Sequence, residues 1–417
     1  MIRYEESDKL ELPLRESMER LRKLVALMAI TPDSRLSELP FHQRALLVPV
    51  LSFASSLYCL SLSLRRRLFL SSLLPTHRLP VPVISVGNLT WGGNGKTPMV
   101  EFIASFFDEI GIPSLVLTRG YGGGDEVKML KRHLLRTSAR IGVGSNRKAI
   151  ADSLFERYGF MDAKLFLEKL SWSCKSCKFG GSSVDEKIGV VVLDDGMQHW
   201  SLFRDVEIVM VNGLMPWGNN HLIPRGPLRE PLTALSRADV VVVHHADLVS
   251  DTELENLKST IRKVSASIPI FFTRLSPSYF FEIKNYSNKL PLSVVHDMVV
   301  LCVSAIGFPD AFVQGLCKLG PLHVDRLDFS DHHLTEINDI VLVTKKVQML
   351  ENEFKVKAVI VMTEKDYYRD PVILKQLHDS KVFILCSSLQ FLPSNEQSAG
   401  DFTRKLRKLL QNKIEFQ

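Results

Sequence analysis

A lysine and a threonine, Lys96 and Thr97, follow a glycine-rich stretch in a pattern that suits phosphate binding. Glycines let the backbone turn its N–H groups toward an anion. The lysine reaches the terminal phosphates of a nucleotide, and the threonine hydroxyl is a ligand for Mg²⁺. The residues predicted to bind the nucleotide are Thr90, Trp91, Gly92, Gly93, Asn94, Gly95, Lys96 and Thr97. Thr90 replaces the first glycine of the usual pattern, and a glycine-rich turn without a ligand is the alternative.

Two secondary-structure elements must hold this loop in place. Residues 81–86 form a short apolar, β-branched run that is typical of a buried strand. After the loop, apolar residues at 99, 100, 103 and 106 follow the spacing of a helix. The sequence therefore predicts a strand, a loop and a helix whose N-terminal dipole faces the phosphates.

A second apolar run, residues 188–193, ends in the carboxylates of Asp194 and Asp195, with Gln198 close behind. A hydrophobic strand followed by an aspartate is typical of the second magnesium motif of phosphate-loop enzymes. We therefore expect these aspartates to hold the metal, directly or through water. The proline-rich stretch 218–231 predicts a rigid loop with two arginines for phosphate, and Arg229 is our candidate clamp on the γ-phosphate.

Composition narrows the class of protein. The chain has 417 residues, enough for two domains, and a formal net charge of +6. This charge fits an anionic substrate or a membrane surface, and no basic stripe with interleaved aromatic residues indicates nucleic acid. Cys174 and Cys177 form a C-x-x-C pair without the second pair that a zinc site needs, so we expect two free thiols in a solvated loop.

The N-terminal region predicts contact with a membrane. The stretch from Arg44 to Arg65 contains no charge between its ends, but Pro49 and five serines make it a poor spanning helix. An interfacial helix with an arginine anchor fits better, and a helix packed on the soluble part is the alternative. Residues 1–17 are acidic, unlike a targeting peptide. The basic segment from Met18 suits organellar targeting if translation begins there, and an ordinary surface helix is the alternative.

The chain is predicted to be an α/β protein with a mostly parallel sheet of the phosphate-loop type. We divide it into an N-terminal extension, a membrane-associated helical segment, a phosphate-loop nucleotide-binding domain with an insertion at about 170–187, and a smaller C-terminal α/β domain. The corresponding boundaries are 1–43, 44–75, 76–295 and 296–417.

Taken together, the motifs resemble those of the tetraacyldisaccharide 4'-kinases of lipid A biosynthesis. The resemblance extends from about residue 40 to the end of the chain. It is carried by Gly87-Asn88-Leu89, Gly92-Gly93-Asn94-Gly95-Lys96-Thr97-Pro98, Arg119-Gly120-Tyr121-Gly122, Gly124-Asp125-Glu126, Asp194-Asp195-Gly196-Met197-Gln198-His199, Pro224-Arg225-Gly226-Pro227-Leu228-Arg229-Glu230-Pro231, Asp331-His332 and Thr363-Glu364-Lys365-Asp366.

The resemblance implies a reaction: ATP, with Mg²⁺, donates its γ-phosphate to the 4'-hydroxyl of a tetraacyldisaccharide 1-phosphate, which gives lipid IVA. It implies that Asp125 is the catalytic base, His332 its partner, and Glu126 a metal ligand or assistant. The expected partners are the acylated lipid and a membrane surface, with no protein partner implied. Two departures concern Asp125: the Arg-Gly-Tyr-Gly and Gly-Asp-Glu runs abut, and Val127 replaces a proline.

Those joined motifs, the cysteine-containing insertion and the segment at Met18 are more similar to plant organellar members than to bacterial ones. We therefore expect a membrane-associated protein of the mitochondrion, or of the cytoplasmic face of a bacterial inner membrane if it is not of the plant type. Two other functions stay open. One is a phosphate-loop GTPase or metal-insertion ATPase, although no Asn-Lys-x-Asp run is present, and the other is a non-catalytic membrane nucleotide sensor.

Overall fold

Strands and helices alternate along most of the chain from residue 83 onward in the computed structural model. The structure describes residues 24–29, 31, 33–38, 40–120, 124–171, 187–331, 333–377, 380–393 and 398–415. The described residues fall into two compact units. We call residues up to Pro75, with Leu89–Trp91 and Met215–Ala234, the N-terminal unit; Thr76–Asn88, Gly92–Leu214 and Leu235–Gln417 form the sheet unit.

The strands described in the sheet unit belong to one sheet. They are β1 (Val83–Asn88), β2 (Ser114–Thr118), β3 (Arg140–Val143), β4 (Val190–Asp194), β5 (Val206–Asn212), β6 (Val240–His244), β7 (Ile270–Glu282), β8 (Asn285–Leu290), β9 (Val299–Ser304), β10 (His323–Asp328), β11 (Ala358–Thr363) and β12 (Lys381–Phe391). Their order is β10-β9-β11-β12-β7-β6-β5-β1-β4-β2-β3, and β8 pairs with β7.

The described helices are α1 (residues 24–29), α2 (Phe41–Leu70), α3 (Lys96–Glu109), α4 (Asp125–His133), α5 (Arg147–Tyr158), α6 (Ala163–Ser171), α7 (Asp251–Val264), α8 (Pro309–Cys317), α9 (Ile337–Phe354), α10 (Glu364–Arg369), α11 (Pro371–Leu374) and α12 (Ala399–Glu415). Helices α1 and α2 belong to the N-terminal unit, and the other helices belong to the sheet unit.

The sheet is parallel from β3 across to β7, and antiparallel where β7 meets β12 and β8. β1 and β4 are buried along their whole length, as the unbroken apolar runs predict for parallel strands covered on both faces. The predicted α/β fold with a mostly parallel sheet is therefore confirmed. Pairing between β7 and β12 keeps the ladder continuous past residue 296, and the predicted domain boundaries stay a prediction.

Hydrophobic packing fixes the helix that follows the phosphate loop. One face of α3 buries Met99, Ile103 and Phe107 in a core shared with the inner strands of the sheet. The C-terminal helix α12 adds Phe402 and Leu406 to the same core, so the end of the chain returns to the strands near its beginning. This packing fixes the orientation of α3 and therefore the position of its N-terminus, which follows the phosphate loop.

A cluster of charges joins α4 to its neighbours within the sheet unit. The His133 side chain lies between two carboxylates, with Nδ1 at 2.8 Å from Glu101 Oε2 and Nε2 at 2.9 Å from Glu364 Oε2. Burial works to lower the pKa of His133, but the two carboxylates raise it to about 10. The imidazole is therefore protonated at neutral pH and links α3, α4 and α10.

We predict that His133→Gln destabilises the protein in a pH-dependent way. The folded-state pKa of about 10 exceeds the ordinary 6.5, so the full stabilisation is present below pH 6.5 and is lost as the pH rises through 10. Between these values the advantage of the wild type declines by about 1.4 kcal/mol per pH unit. Urea unfolding at pH 6 and pH 9 measures the difference in the free energy of unfolding between the wild type and the variant. A difference that is the same at both pH values contradicts the prediction.

Candidate active site

The phosphate loop enters α3 through glycines with left-handed backbone angles, φ of +90° at Gly92 and +77° at Gly95. A Cβ at Gly95 would also lie 2.6 Å from the His244 ring, so only glycine fits there. The loop is braced by Asn94, which donates to the Gly92 carbonyl at 2.9 Å, and by Asn212, which donates to the Gly93 carbonyl at 3.3 Å. The loop backbone is therefore shaped before any ligand arrives.

The first turn of α3 is suited to an anion. It contains no acidic residue, and its N-cap Gly95 has no side chain to accept from the first backbone N–H groups. The helix dipole and these N–H groups favour negative charge at this end. Lys96 and Thr97 lie on the same turn, as the sequence predicted.

The two predicted metal-binding aspartates lie at the carboxyl end of β4, where Asp194 is the last residue of the strand and pairs with Val86 of β1, and Asp195 follows it. Asp194 is buried, and its Oδ2 accepts from the Thr118 hydroxyl at 3.2 Å. Its Oδ1 is buried without a hydrogen-bond partner among the described residues. Burial and the nearby Glu126 carboxylate raise the pKa of Asp194 to about 6, although Lys96 works to lower it.

Lys96 faces the second aspartate, with its Nζ 3.9 Å from Asp195 Oδ1. Asp195 adopts a left-handed backbone angle, φ +52°, that places its side chain at the turn after β4. Arg147, which is fully buried, donates to the backbone carbonyls of Asp194 and Asp195 at 2.5 and 3.3 Å and so holds the turn. Nothing in the sequence around Arg147 indicates this role.

A magnesium ion fits these residues. Within the described ranges there is no cluster of three His, Cys, Asp or Glu side chains that could hold a metal alone. Mg²⁺ does not need one, because it keeps several waters and binds one or two carboxylates together with substrate phosphates. Asp194 Oδ1, which has no hydrogen-bond partner among the described residues, and the Thr97 hydroxyl are oxygen atoms of the kind that Mg²⁺ binds. Gln198 is half-buried four residues after Asp194.

The acidic pair Asp125 and Glu126 begins α4. Asp125 is fully buried; its Oδ1 accepts from the Glu126 backbone N–H at 2.8 Å, and its Oδ2 accepts from Arg369 at 3.1 Å. Glu126 Oε1 lies 3.2 Å from Lys365 Nζ, which also lies 4.0 Å from Asp331. Burial works to lower the pKa of Lys365, but Glu126 and Asp331 raise it above its usual value.

Several predicted site residues belong to the N-terminal unit or lie outside the described residues. The N-terminal unit contains Thr90, Trp91 and Arg229. In this unit Thr90 forms a β-bridge with Leu228, and the backbone N–H of Arg229 donates to the Leu89 carbonyl at 2.6 Å. His332 lies outside the described residues, as do residues 121–123 and the cysteines at 174 and 177. The roles predicted for all site residues stay predictions.

Comparisons with known proteins point to one family. A family model described as LpxK, tetraacyldisaccharide-1-P 4'-kinase, matches residues 46–410. The chain is 50% identical to a probable mitochondrial tetraacyldisaccharide 4'-kinase of Arabidopsis thaliana, covering 95% of this chain and 99% of that protein. It is 33% identical to a tetraacyldisaccharide 4'-kinase of Syntrophus aciditrophicus, covering 80% and 86%.

A solved structure shares the fold. LpxK from Aquifex aeolicus, solved in complex with ATP, is 23% identical and superposes with a TM-score of 0.52, covering 86% of this chain and 97% of that one.

We predict that Asp194→Asn removes the enhancement of ATP binding by Mg²⁺, because an asparagine amide has no negative charge with which to bind the metal ion. The expected loss is roughly 10- to 100-fold in the presence of Mg²⁺, the range for groups around metal sites, with little change in EDTA. Calorimetric titration of ATP measures both conditions. Asp239→Asn is the matched control, since Asp239 accepts from the Glu207 N–H at the amino end of β6. Equal Mg²⁺ enhancement in Asp194→Asn and wild type contradicts the assignment.

Proposed function

The chain belongs to the tetraacyldisaccharide 1-phosphate 4'-kinase family, and on that premise we propose that it phosphorylates the 4'-hydroxyl of a tetraacyldisaccharide 1-phosphate with ATP. The product is lipid IVA, an intermediate of lipid A biosynthesis. The observation that carries the proposal is that a helix N-terminus suited to an anion lies near a buried carboxylate, Asp194, one of whose oxygens has no hydrogen-bond partner among the described residues. A nucleoside triphosphate with a bound metal ion would place its phosphates at the helix N-terminus and its metal ion at the Asp194 carboxylate.

The phosphate-binding residues act by positioning and charge. The α3 amides and Lys96 bind the β- and γ-phosphates, and Lys96 counters the negative charge that spreads over the transferred group. Asp194 and Thr97 would hold Mg²⁺, which when bound neutralises charge between the β- and γ-phosphates. Asp195 lies close enough to Lys96 to orient its ammonium group. The clamp assigned to Arg229 belongs to the same proposal.

The sugar oxygen forms a new bond to the γ-phosphorus, and the bond from that phosphorus to the β–γ bridging oxygen breaks, releasing ADP. The hydroxyl proton goes to a base. We assign this base to Asp125 with His332 as its partner, because a carboxylate paired with an imidazole accepts a proton efficiently. Asp125 lies in the sheet unit at the start of α4, beside Glu126, whose charge acts on Asp194.

The N-terminal unit supports attachment to a membrane. Within the described ranges one helix, α2, is long and apolar enough to cross a bilayer by its length and composition, and little of it is buried. Ser55 fixes one side of α2 by donating to the Leu222 carbonyl at 2.8 Å and accepting from the Arg225 N–H at 3.0 Å. The other side exposes a row of apolar residues three and four positions apart, namely Leu46, Val50, Phe53, Leu57, Leu60 and Leu64.

Such a stripe, followed by the exposed Arg65, Arg66 and Arg67, fits an anionic membrane surface. The acyl chains of the substrate reside in the same surface. We therefore propose that α2 lies on the membrane and that this membrane is mitochondrial, as the name of the Arabidopsis relative suggests for that protein.

We predict that Lys96→Ala lowers kcat by at least about 10²-fold, as for other preorganised contacts to a charged transition state. The assay follows transfer from ATP to a tetraacyldisaccharide 1-phosphate by mass spectrometry, with Lys148→Ala, a surface lysine paired with Asp152, as control. Near-normal turnover by Lys96→Ala at saturating ATP contradicts the site.

The same assay on the wild type separates the other functions. Transfer to the disaccharide supports the kinase, whereas a preference for GTP or hydrolysis that ignores the lipid indicates a GTPase or metal-insertion ATPase. Nucleotide binding without turnover indicates a sensor.

We predict that the double substitution Phe53→Ser and Leu60→Ser reduces binding to phosphatidylglycerol-containing vesicles at least tenfold, because each buried apolar side chain contributes about 2 kcal/mol. Vesicle flotation measures it. Leu135→Ser, at an exposed leucine of the sheet unit, is the matched control. Unchanged flotation of the double variant would show that the membrane contacts another surface.

A further inference from the structure

Arg369, the last residue of α10, has a side chain that is only 2% exposed and whose guanidinium group contacts four residues of the sheet unit. Its Nε and Nη2 donate to Asp125 Oδ2 at 3.3 and 3.1 Å. Its Nη1 donates to Asp366 Oδ1 and to the Ala305 carbonyl, both at 2.9 Å, and reaches the His333 carbonyl at 3.5 Å. None of these contacts follows from a motif that includes Arg369.

These contacts join three segments of the proposed site. Asp125 opens α4. Ala305 leads to Gly307, which approaches the phosphate loop so closely that a Cβ there would lie 2.9 Å from Gly92 Cα and Gly93 N. The third contact, His333, immediately follows the predicted partner of the base in the sequence. Arg369 therefore contacts the start of α4, the segment that leads to Gly307, and the backbone of the residue that follows His332 in the sequence.

The contact with Asp125 has a defined geometry. Two N–H groups of the guanidinium converge on Oδ2, while the Glu126 N–H occupies Oδ1. A planar guanidinium fixes the plane of a carboxylate in a way that the point charge of a lysine does not. Since the carboxylate is fully buried, its orientation depends on these donors.

We propose that Arg369 is a positioning residue of the phosphoryl transfer, which acts by holding the Asp125 carboxylate and the backbone at Ala305 and His333 in the arrangement that receives the sugar hydroxyl. This inference rests on the proposed function. Arg369 does not touch substrate; it acts through Asp125.

A purely structural role for Arg369 makes a different prediction, and the chain offers a matched control for it. Other contacts already join α4 to α10: Arg132 donates to the Tyr368 hydroxyl at 2.8 Å and lies 3.5 Å from Glu364, and Lys128 donates to the Tyr368 carbonyl. Arg132→Met thus removes an arginine between the same two helices without touching Asp125.

The experiment compares Arg369→Met, Arg369→Lys and Arg132→Met with the wild type, using ATP and a tetraacyldisaccharide 1-phosphate. We expect Arg369→Met to lower kcat by roughly 10- to 100-fold, as for residues that orient a reacting group through another side chain, with the KM for ATP unchanged. Arg369→Lys should recover part of the loss, because it restores charge without the planar fork. Arg132→Met should keep the wild-type kcat per folded molecule, measured by circular dichroism.

A cycle with Asp125→Asn tests whether Arg369 acts through that carboxylate. In the Asp125→Asn background, Arg369→Met or Arg369→Lys should cause no further loss of kcat. The inference is overturned if Arg369→Met lowers kcat by the same factor in the Asp125→Asn background as in the wild type, or if Arg369→Met and Arg132→Met have equal kcat. Either result leaves the kinase function unaffected. If Arg369→Met does not fold, Arg369→Lys decides by the same criteria. An inactive wild type overturns both proposals.

Discussion

The arrangement of the sheet unit depends on how buried carboxylates find compensating charge. Removing an ionised carboxylate from water is costly unless a cation or several donors replace the water. Asp125 and Asp366 share the guanidinium of Arg369 and are satisfied within the protein. Asp194 is also buried, but its Oδ1 has no hydrogen-bond partner in the part of the chain that the structure describes. The magnesium-binding role that we propose for Asp194 rests on that difference.

Backbone contact, more than charge, places Asp194 and Asp195 beside the phosphate loop. A Cβ at Gly87 would lie 2.4 Å from Met197 Cβ, and one at Gly196 would lie 2.3 Å from Ser85 Oγ, so β1 and the turn after β4 meet where only glycine fits. The Gly196 N–H also donates to the Val86 carbonyl. The loop and the aspartates are therefore held together without a ligand, as preorganised electrostatic catalysis requires.

Local sequence signals were enough to predict much of this site. β1, β4 and α3 are found where apolar runs and helical spacing predicted them, because a strand, a glycine loop and a helix start leave their marks within a few residues. The arginines were missed for the opposite reason. Arg147 and Arg369 meet Asp194 and Asp125 at separations of 47 and 244 residues. No local sequence pattern indicates such a long-range pairing, and the sequence alone does not distinguish a buried arginine from an exposed one.

Continuity of the sheet also constrains how the C-terminal half can move against the phosphate loop. Residues 270–272 of β7 pair with β6, and its later residues pair with β12, so the two halves share one strand rather than a flexible linker. The ladder is interrupted where Pro277, which has no N–H to donate, faces Ser387 beside a register shift. A bulge at this point concentrates bending and twisting there. Bending of β7 near Pro277 would change the contacts between α4 and α10, Arg369 among them.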